Sequence, residues 1–297
     1  MQELYISTLS EYLGAIERLK EHYPNRMIGN NPVATKFLYR GLSDTNYCLL
    51  PGLFRKQKDV FDEEAGYSVE NSTYLSYGKE KDILRSFIHE ASCVVSLPPD
   101  DFSRWAEYAQ HYGAPTRFLD WSSNPLVALY FACRDKKDTE ARVWLLHIDN
   151  YERNPLVADQ MKSKARGRII EEIIEGSEDY HYPMIYTPYY VDTRMSAQSS
   201  FFMVWGAESK PFEEMFSDER YCMRLPEKDD GIRTYGTHEV EALLFSFKIY
   251  ADRKQMLLRE LDTVGINEKT LFPGLDGIGR YVERKYRFDY NEAVLNL

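Results

Sequence analysis

The stretch that most limits what this chain can become is residues 110–133, QHYGAPTRFLDWSSNPLVALYFAC. Its second half, residues 126–133, is apolar nearly all round, so as a helix it belongs in a core rather than on a surface. Ser123 or Asn124, directly before Pro125, reads as an N-cap with proline at the first helical position. Ahead of it, Gln110, His111 and Tyr112 form a polar, ring-bearing group, the chain turns at Gly113 and Pro115, and Thr116 to Ser122 follow. These polar residues lie at the mouth of a buried helix, where open N–H groups and the helix dipole favour an anion. Two arrangements satisfy the pattern. One is a ligand site; the other is a buried turn in which Asp120, Thr116 and Arg117 satisfy one another.

The flanking sequence supplies a mixture of elements. Residues 8–22 place Leu9, Tyr12, Leu13, Ile16 and Leu19 at helical spacing, with Ser10 as the cap. Residues 23–36 read as a loop, and Phe37–Leu38–Tyr39 as a buried strand ending in Arg40–Gly41. A turn at Pro51–Gly52 and an exposed connection over 56–79 come next. Helices are expected over 78–95 and, after Pro98–Pro99, over 102–112, the second capped by Asp101 and delivering Gln110 and His111. Strands are expected over 142–148, 200–204 and 241–250. Further helices are expected over 168–175, over 253–264 with Met256, Leu257 and Leu261 inward and Gly265 as the stop, and over 278–286. Residues 210–237 read as charged and irregular. Strands and helices mix without regular alternation, which favours α+β over a doubly wound sheet.

Composition mainly removes options. No run of about 18 apolar residues occurs, so no membrane span is expected. The first residues carry acids and no apolar block, unlike a secretory signal. Cys48, Cys93, Cys133 and Cys222 stand far apart without a Cys-x-x-Cys pair, which points to reduced thiols in a cytoplasm. A net charge of −10 lends no support to tight phosphate-driven nucleic-acid binding, although the 23 tyrosines supply rings for a short stacking groove. Glycine-rich phosphate loops, Gly-x-Ser-x-Gly and His-Glu-x-x-His are all missing, and no metal is expected. Arg40 stands out. At the end of a buried strand it is placed like a phosphate clamp, with Gly41 permitting close approach; the ordinary alternative is a surface ion pair.

Four blocks in order carry a resemblance: FLYRGLSDTNYCLLPGLFR from residue 37, AQHYGAPTRFLDWSSNPLVALYFAC from 109, RMSAQSSFF from 194 and TLFPGLDGI from 270. Together they resemble the FRG domain, named for an aromatic–Arg–Gly motif that is Tyr39–Arg40–Gly41 here. The third block departs from the pattern, which usually carries a glycine around Gln198 where this chain has Ser199–Ser200. The resemblance implies a domain over residues 37–286 with an irregular insertion near 207–237. Residues 1–36 are then an N-terminal helix and loop, and 287–297 a C-terminal tail.

The FRG domain in turn looks like the ADP-ribosyltransferase superfamily. That implies an α+β fold with a mixed, split β-sheet core and peripheral helices, and NAD as substrate. By this resemblance Tyr39, Arg40, Gly41, Tyr112, Thr116, Trp121, Ser122 and Gln198 bind NAD, while His111, Asp120 and Glu241 are the catalytic candidates. Glu239–Val240–Glu241 has the superfamily's Glu-x-Glu form, with Gln198 or His111 as alternatives for that role. Arg40 would take the phosphates, and Tyr39, Tyr112 or Trp121 would wall the nicotinamide. Glu241 or Asp120 would face the developing positive charge, and Ser122 would bond an acidic side chain or ribose. The implied function is a cytoplasmic, NAD-dependent ADP-ribosyltransferase that modifies RNA or protein, a toxin-like effector of a toxin–antitoxin or anti-phage system restrained by an antitoxin or other regulatory partner. The alternatives are a non-catalytic sensor of a nucleotide or phage component, and an NAD glycohydrolase.

Overall fold

The computed structural model describes residues 4–22, 26–28, 31–33, 37–55, 60–62, 67–69, 77–162, 164–188, 192–215, 233–237 and 240–295. Its centre is an eight-stranded mixed sheet. In chain order the strands are β1 (Tyr5–Ile6), β2 (Phe37–Leu42), β3 (Phe118–Ser122), β4 (Ala141–His147), β5 (Met184–Tyr186), β6 (Ser200–Val204), β7 (Arg233–Thr237) and β8 (Val240–Ile249). They lie side by side as β1–β8–β4–β2–β3–β6–β5, with β7 also on β8. Only the β1–β8 pairing is parallel among these. The α+β expectation is met.

One joint in the sheet is weak. β2 and β4 are paired along six residues, from Phe37↔His147 to Leu42↔Arg142. β2 and β3 are paired only at Tyr39↔Ser122. Beyond that pair the two strands separate, so the sheet opens at its middle.

Helices close both faces. These are α1 (Leu9–His22), α2 (Tyr77–Ala91), α3 (Phe102–His111), α4 (Pro125–Arg134), α5 (Arg166–Ile174), α6 (Thr193–Ala197), α7 (Lys254–Thr263) and α8 (Leu275–Leu295). The apolar α4 lies in the core with α1 and α7, against Phe37, Tyr39, Val143, Leu145, Phe245 and Phe247. The opposite face buries Leu38, Leu42, Trp144 and Leu146 with Trp205 and Phe212. A third cluster packs α2, α3 and α5 against Phe118 and Phe202. Asn124 caps α4 through its Oδ1, which accepts from the Leu126 N–H at 2.9 Å, and Asp101 caps α3.

Several sequence expectations shift for physical reasons. The α1 cap is Thr8 rather than Ser10: its Oγ1 accepts from the Glu11 N–H at 3.2 Å while the Glu11 carboxylate accepts from the Thr8 N–H at 3.3 Å, a reciprocal box. Within the segment expected to lie outside the domain, β1 joins the main sheet and α1 buries Tyr12, Ala15 and Ile16 in its core. The loop at 23–36 contains a small ladder, Arg26–Ile28 with Asn31–Val33, and the connection at 56–79 another, Val60–Asp62 with Tyr67–Val69. Three-residue strands are too short for alternation to show in a sequence. The helix expected to reach Val95 ends at Ala91. In α7 the inward stripe is Leu257, Leu258 and Leu261, leaving Met256 43% exposed. The last helix starts at Leu275 and its backbone runs to Leu295, through most of the expected tail. Within the segment thought irregular, Phe212 is fully buried and Arg233–Thr237 pairs with β8.

Candidate active site

The opened joint between β2 and β3 is the wall of a cavity of about 1000 Å³. Arg40 explains how the joint stays open. Alternation along β2 puts it on the same face as Leu38 and Leu42, both buried. Its Nη1 donates to the main-chain carbonyl of Asp120, an acceptor that a continued ladder would have given to a backbone N–H. Its Nε is sealed from solvent and has no hydrogen-bond partner. Burial pulls the Arg40 pKa down to about 10, Asp120 opposing and Arg55 assisting, so the group stays charged at neutral pH. No ion pair of Arg40 exists among the described residues.

Gly41 has a different task from the expected one. A Cβ there would stand 1.9 Å from the Ala128 carbonyl oxygen and 2.6 Å from the Ala132 nitrogen. The glycine lets α4 lie directly on β2, which holds the cavity floor rigid; close approach of a ligand is not what demands it.

Asp120 projects from β3 into the cavity and is exposed. Its Oδ2 accepts from Gln110 Nε2 at 2.7 Å, and Gln110 Oε1 in turn accepts from the Thr116 hydroxyl. Thr116 is buried and its Oγ1 accepts from the Phe118 N–H at 3.2 Å. Thr116 is therefore a support for Gln110, and Gln110 for Asp120. The Asp120–Arg117 pair considered from the sequence is not made. Arg117 points the other way, into a buried knot with the Glu80 carboxylate of α2 and the Trp205 carbonyl.

Ser122 Oγ donates to the Gln198 carbonyl at 2.7 Å and accepts from the Asn124 N–H at 3.0 Å. The expected contact with an acidic side chain is absent from the described residues. Gln198 sends its own amide to the Leu271 carbonyl at 3.0 Å. Ser199, where the pattern usually has glycine nearby, sits at φ +48°, the left-handed region glycine favours. At the α4 mouth, Asn124 and Ser122 already occupy N–H groups that an anion would need. The cations of the cavity lie elsewhere in its wall: Arg40, Arg55, Arg134 and Arg194.

The remaining candidates divide. His111 lines the cavity and its Nε2 touches the Asp192 carboxylate, whose other oxygen caps α6. Trp121 borders the cavity but is 3% exposed and packs in the core with Leu119; its Nε1 has no partner. Tyr39 is likewise core, 3% exposed, and burial pushes its hydroxyl pKa up. Tyr112 is 65% exposed and lines an adjoining pocket instead. The exposed ring on the main cavity is Tyr47, which lies in the first motif block but was not among the candidate site residues.

Glu239 lies outside the described residues, as does the side chain of Glu241. The Glu241 backbone is nevertheless placed. Ser246 is level with Trp144 on β4, and Trp144 with Arg40 on β2. Glu241 precedes Ser246 by five residues (246 − 241), about 17 Å along the strand at roughly 3.4 Å per residue, and stands two strand spacings, about 10 Å, to the side. The register does not bring it to Arg40. The carboxylate that is beside Arg40 is Asp120.

Three of the motif blocks line this cavity and the fourth lines the adjoining pocket, all joined in sequence by Arg40 to Asp120, Ser122 to Gln198, and Gln198 to Leu271. The class this defines is an α+β protein with an opened mixed sheet and an arginine-walled cleft. Comparison with protein families finds one match: the model of the FRG domain matches residues 35–141. The match holds the first two blocks; Gln198 and Leu271 come from beyond it. No curated protein and no solved structure matches the chain. Among the described residues no helix is long and apolar enough to cross a membrane.

Proposed function

We propose that the cleft binds NAD and transfers its ADP-ribose to a macromolecule, RNA or protein, as a cytoplasmic toxin-like effector held in check by a partner. The observation that carries the reading is the opened β2–β3 joint. It places a guanidinium, a supported carboxylate and several further arginines on one cleft. The cleft's volume, about 1000 Å³, is at the upper end for small-molecule sites and suits a dinucleotide.

In this reading Arg40 holds the pyrophosphate through its planar fork. The bond from ribose C1′ to the nicotinamide nitrogen breaks, and its electron pair leaves with the nicotinamide, cancelling the pyridinium charge. Positive charge then develops on the ribose, as in glycoside cleavage. Asp120, fixed by Gln110 and Thr116, stabilises that charge electrostatically. An acceptor atom forms the new bond to C1′ and gives up a proton; His111, partnered by Asp192, is the group placed to accept it.

The test is incubation of the full chain with NAD labelled in the adenylate phosphate, together with cell lysate. Wild type should label a macromolecule and release nicotinamide. Arg40→Gln should lower the rate by about 100-fold or more. Nicotinamide release without labelling would indicate a glycohydrolase, and NAD binding without release a sensor. Neither release nor labelling, with or without a partner protein, sinks the enzymatic reading.

A further inference from the structure

Phe272 is where three guanidiniums converge. The Cζ atoms of Arg194 and Arg280 each lie 4.8 Å from its ring centroid, and that of Arg134 lies 5.7 Å away. They arrive from three elements: Arg134 ends α4, Arg194 is on α6 and Arg280 is on α8. Arg134 is answered by Asp135, whose carboxylate accepts from its Nε at 3.0 Å and Nη2 at 2.8 Å. Arg194 and Arg280 have no carboxylate at ion-pair distance among the described residues. Asp192, the nearest acid in sequence to Arg194, is committed to His111 and to the first N–H groups of α6.

Like charges gathered on one ring repel, and the face of a phenylalanine offsets only a part of that. Burial lowers the Arg194 pKa, Asp192 and Asp120 oppose, and Arg134 and Arg280 lower it further. Such an arrangement is stabilised by an anion between the guanidiniums. Stacking on a ring also holds each guanidinium plane while leaving its N–H edges outward, the geometry that grips phosphate.

Space for the anion is present. A second cavity of about 430 Å³ is walled by Arg194, Arg280, Phe272, Asp276, His111 and the exposed ring of Tyr112. It shares His111 and Arg194 with the main cleft, so the two are contiguous. We propose that this smaller cavity is a phosphate-binding subsite, in which Arg194 and Arg280 hold one phosphate group of a ligand that continues past His111 into the main cleft. Tyr112 offers that ligand a ring to stack upon. The phosphate comes either from the dinucleotide itself or from the phosphodiester chain of an acceptor strand. The subsite requires binding alone, so it stands or falls separately from the transfer of ADP-ribose.

Isothermal titration of the full chain with pyrophosphate tests it, in an Arg40→Gln background that removes the main cleft's own buried cation. Pyrophosphate should bind, more weakly as salt rises. Adding R194Q and R280Q should weaken it about tenfold or more, while R280K retains most of the affinity. Because Arg280 is exposed, R280Q alone should leave the thermal melt unchanged and still lose affinity, which separates binding from folding. Displacement of pyrophosphate by ADP-ribose would assign the subsite to the dinucleotide. Displacement only by a short single-stranded oligonucleotide would assign it to the acceptor. Affinity that does not change in the R194Q/R280Q variant, or absence of binding by a folded Arg40→Gln protein, overturns the proposal.

Discussion

Two arginines show the difference between structure and site. Arg117, directly before β3, is 1% exposed. Its Nε donates to both Glu80 oxygens at 2.9 Å, and its Nη1 donates to the Trp205 carbonyl at 2.9 Å. Arg40, on β2, is partly open to a large cleft, spends Nη1 on a carbonyl, and keeps Nε unanswered. Burying a charge is costly unless partners repay it. The Arg117 knot is repaid within the chain, whereas the Arg40 site is left short of partners, and a shortfall of that kind is where a ligand contributes.

The sharpest way to break this contrast is to cut each site and measure stability. Arg117→Met leaves Glu80 buried without its partner, and unfolding by denaturant should show a loss of about 3–5 kcal/mol. A loss below about 1 kcal/mol would mean that the knot is not the structural member of the pair. Gly41→Ala comes next. Its methyl group would meet main-chain atoms of α4 at 1.9 Å, and backbone cannot swing aside, so a loss of about 2–3 kcal/mol is expected. A fully stable G41A protein would show that α4 can lift from β2. Arg40→Gln should change stability least, by about 1 kcal/mol in either direction, because it removes an incompletely paired buried charge. If instead it costs as much as Arg117→Met, the guanidinium is a structural bracket and the cleft loses its claim as a site.

The sequence carried the two sites unequally. The elements that build them were legible, since Asn124–Pro125 marks a helix start and Phe37–Leu38–Tyr39 a strand by local chemistry alone. Arg40 was legible too, as a charge in an apolar strand. What a sequence hides is who answers whom across the fold. Arg117 sits three residues from Asp120, yet its partner is Glu80, which precedes it by 37 residues. Gly41 looked like a gap for a ligand because the helix that fills the gap lies 84 to 93 residues further on (125 − 41 to 134 − 41). Glu241 has acidic and apolar neighbours in the chain that suggest the motif, but its backbone row in the sheet is set by a register the sequence does not reveal. Tyr47 and Arg55 lie inside the first motif block and Arg134 directly follows the second, yet nothing in their local pattern announces that they line the cleft. Arg194 was visible only as the first residue of the third motif block, with nothing to mark it as a cleft cation.

The smallest expected effect concerns two thiols placed on either side of the same contrast. Cys133, on α4, faces the core, fully buried, and burial pushes its pKa up to about 12. Cys48 lines the cleft, half-buried, its pKa raised first by burial and then by Glu213. The thiolate is the reactive form, so both alkylate slowly near neutrality, and the Cys48 rate should climb as pH rises through its elevated pKa. Exposed Cys93 serves as the internal reference. Mapped by mass spectrometry, iodoacetamide should modify Cys93 first, Cys48 later and Cys133 only on unfolding. A nucleotide held in the cleft should slow Cys48 by a few-fold and leave Cys93 untouched. Equal protection of both, or none at Cys48 under saturating NAD, would place any bound nucleotide away from the opened joint that the contrast with Arg117 singles out.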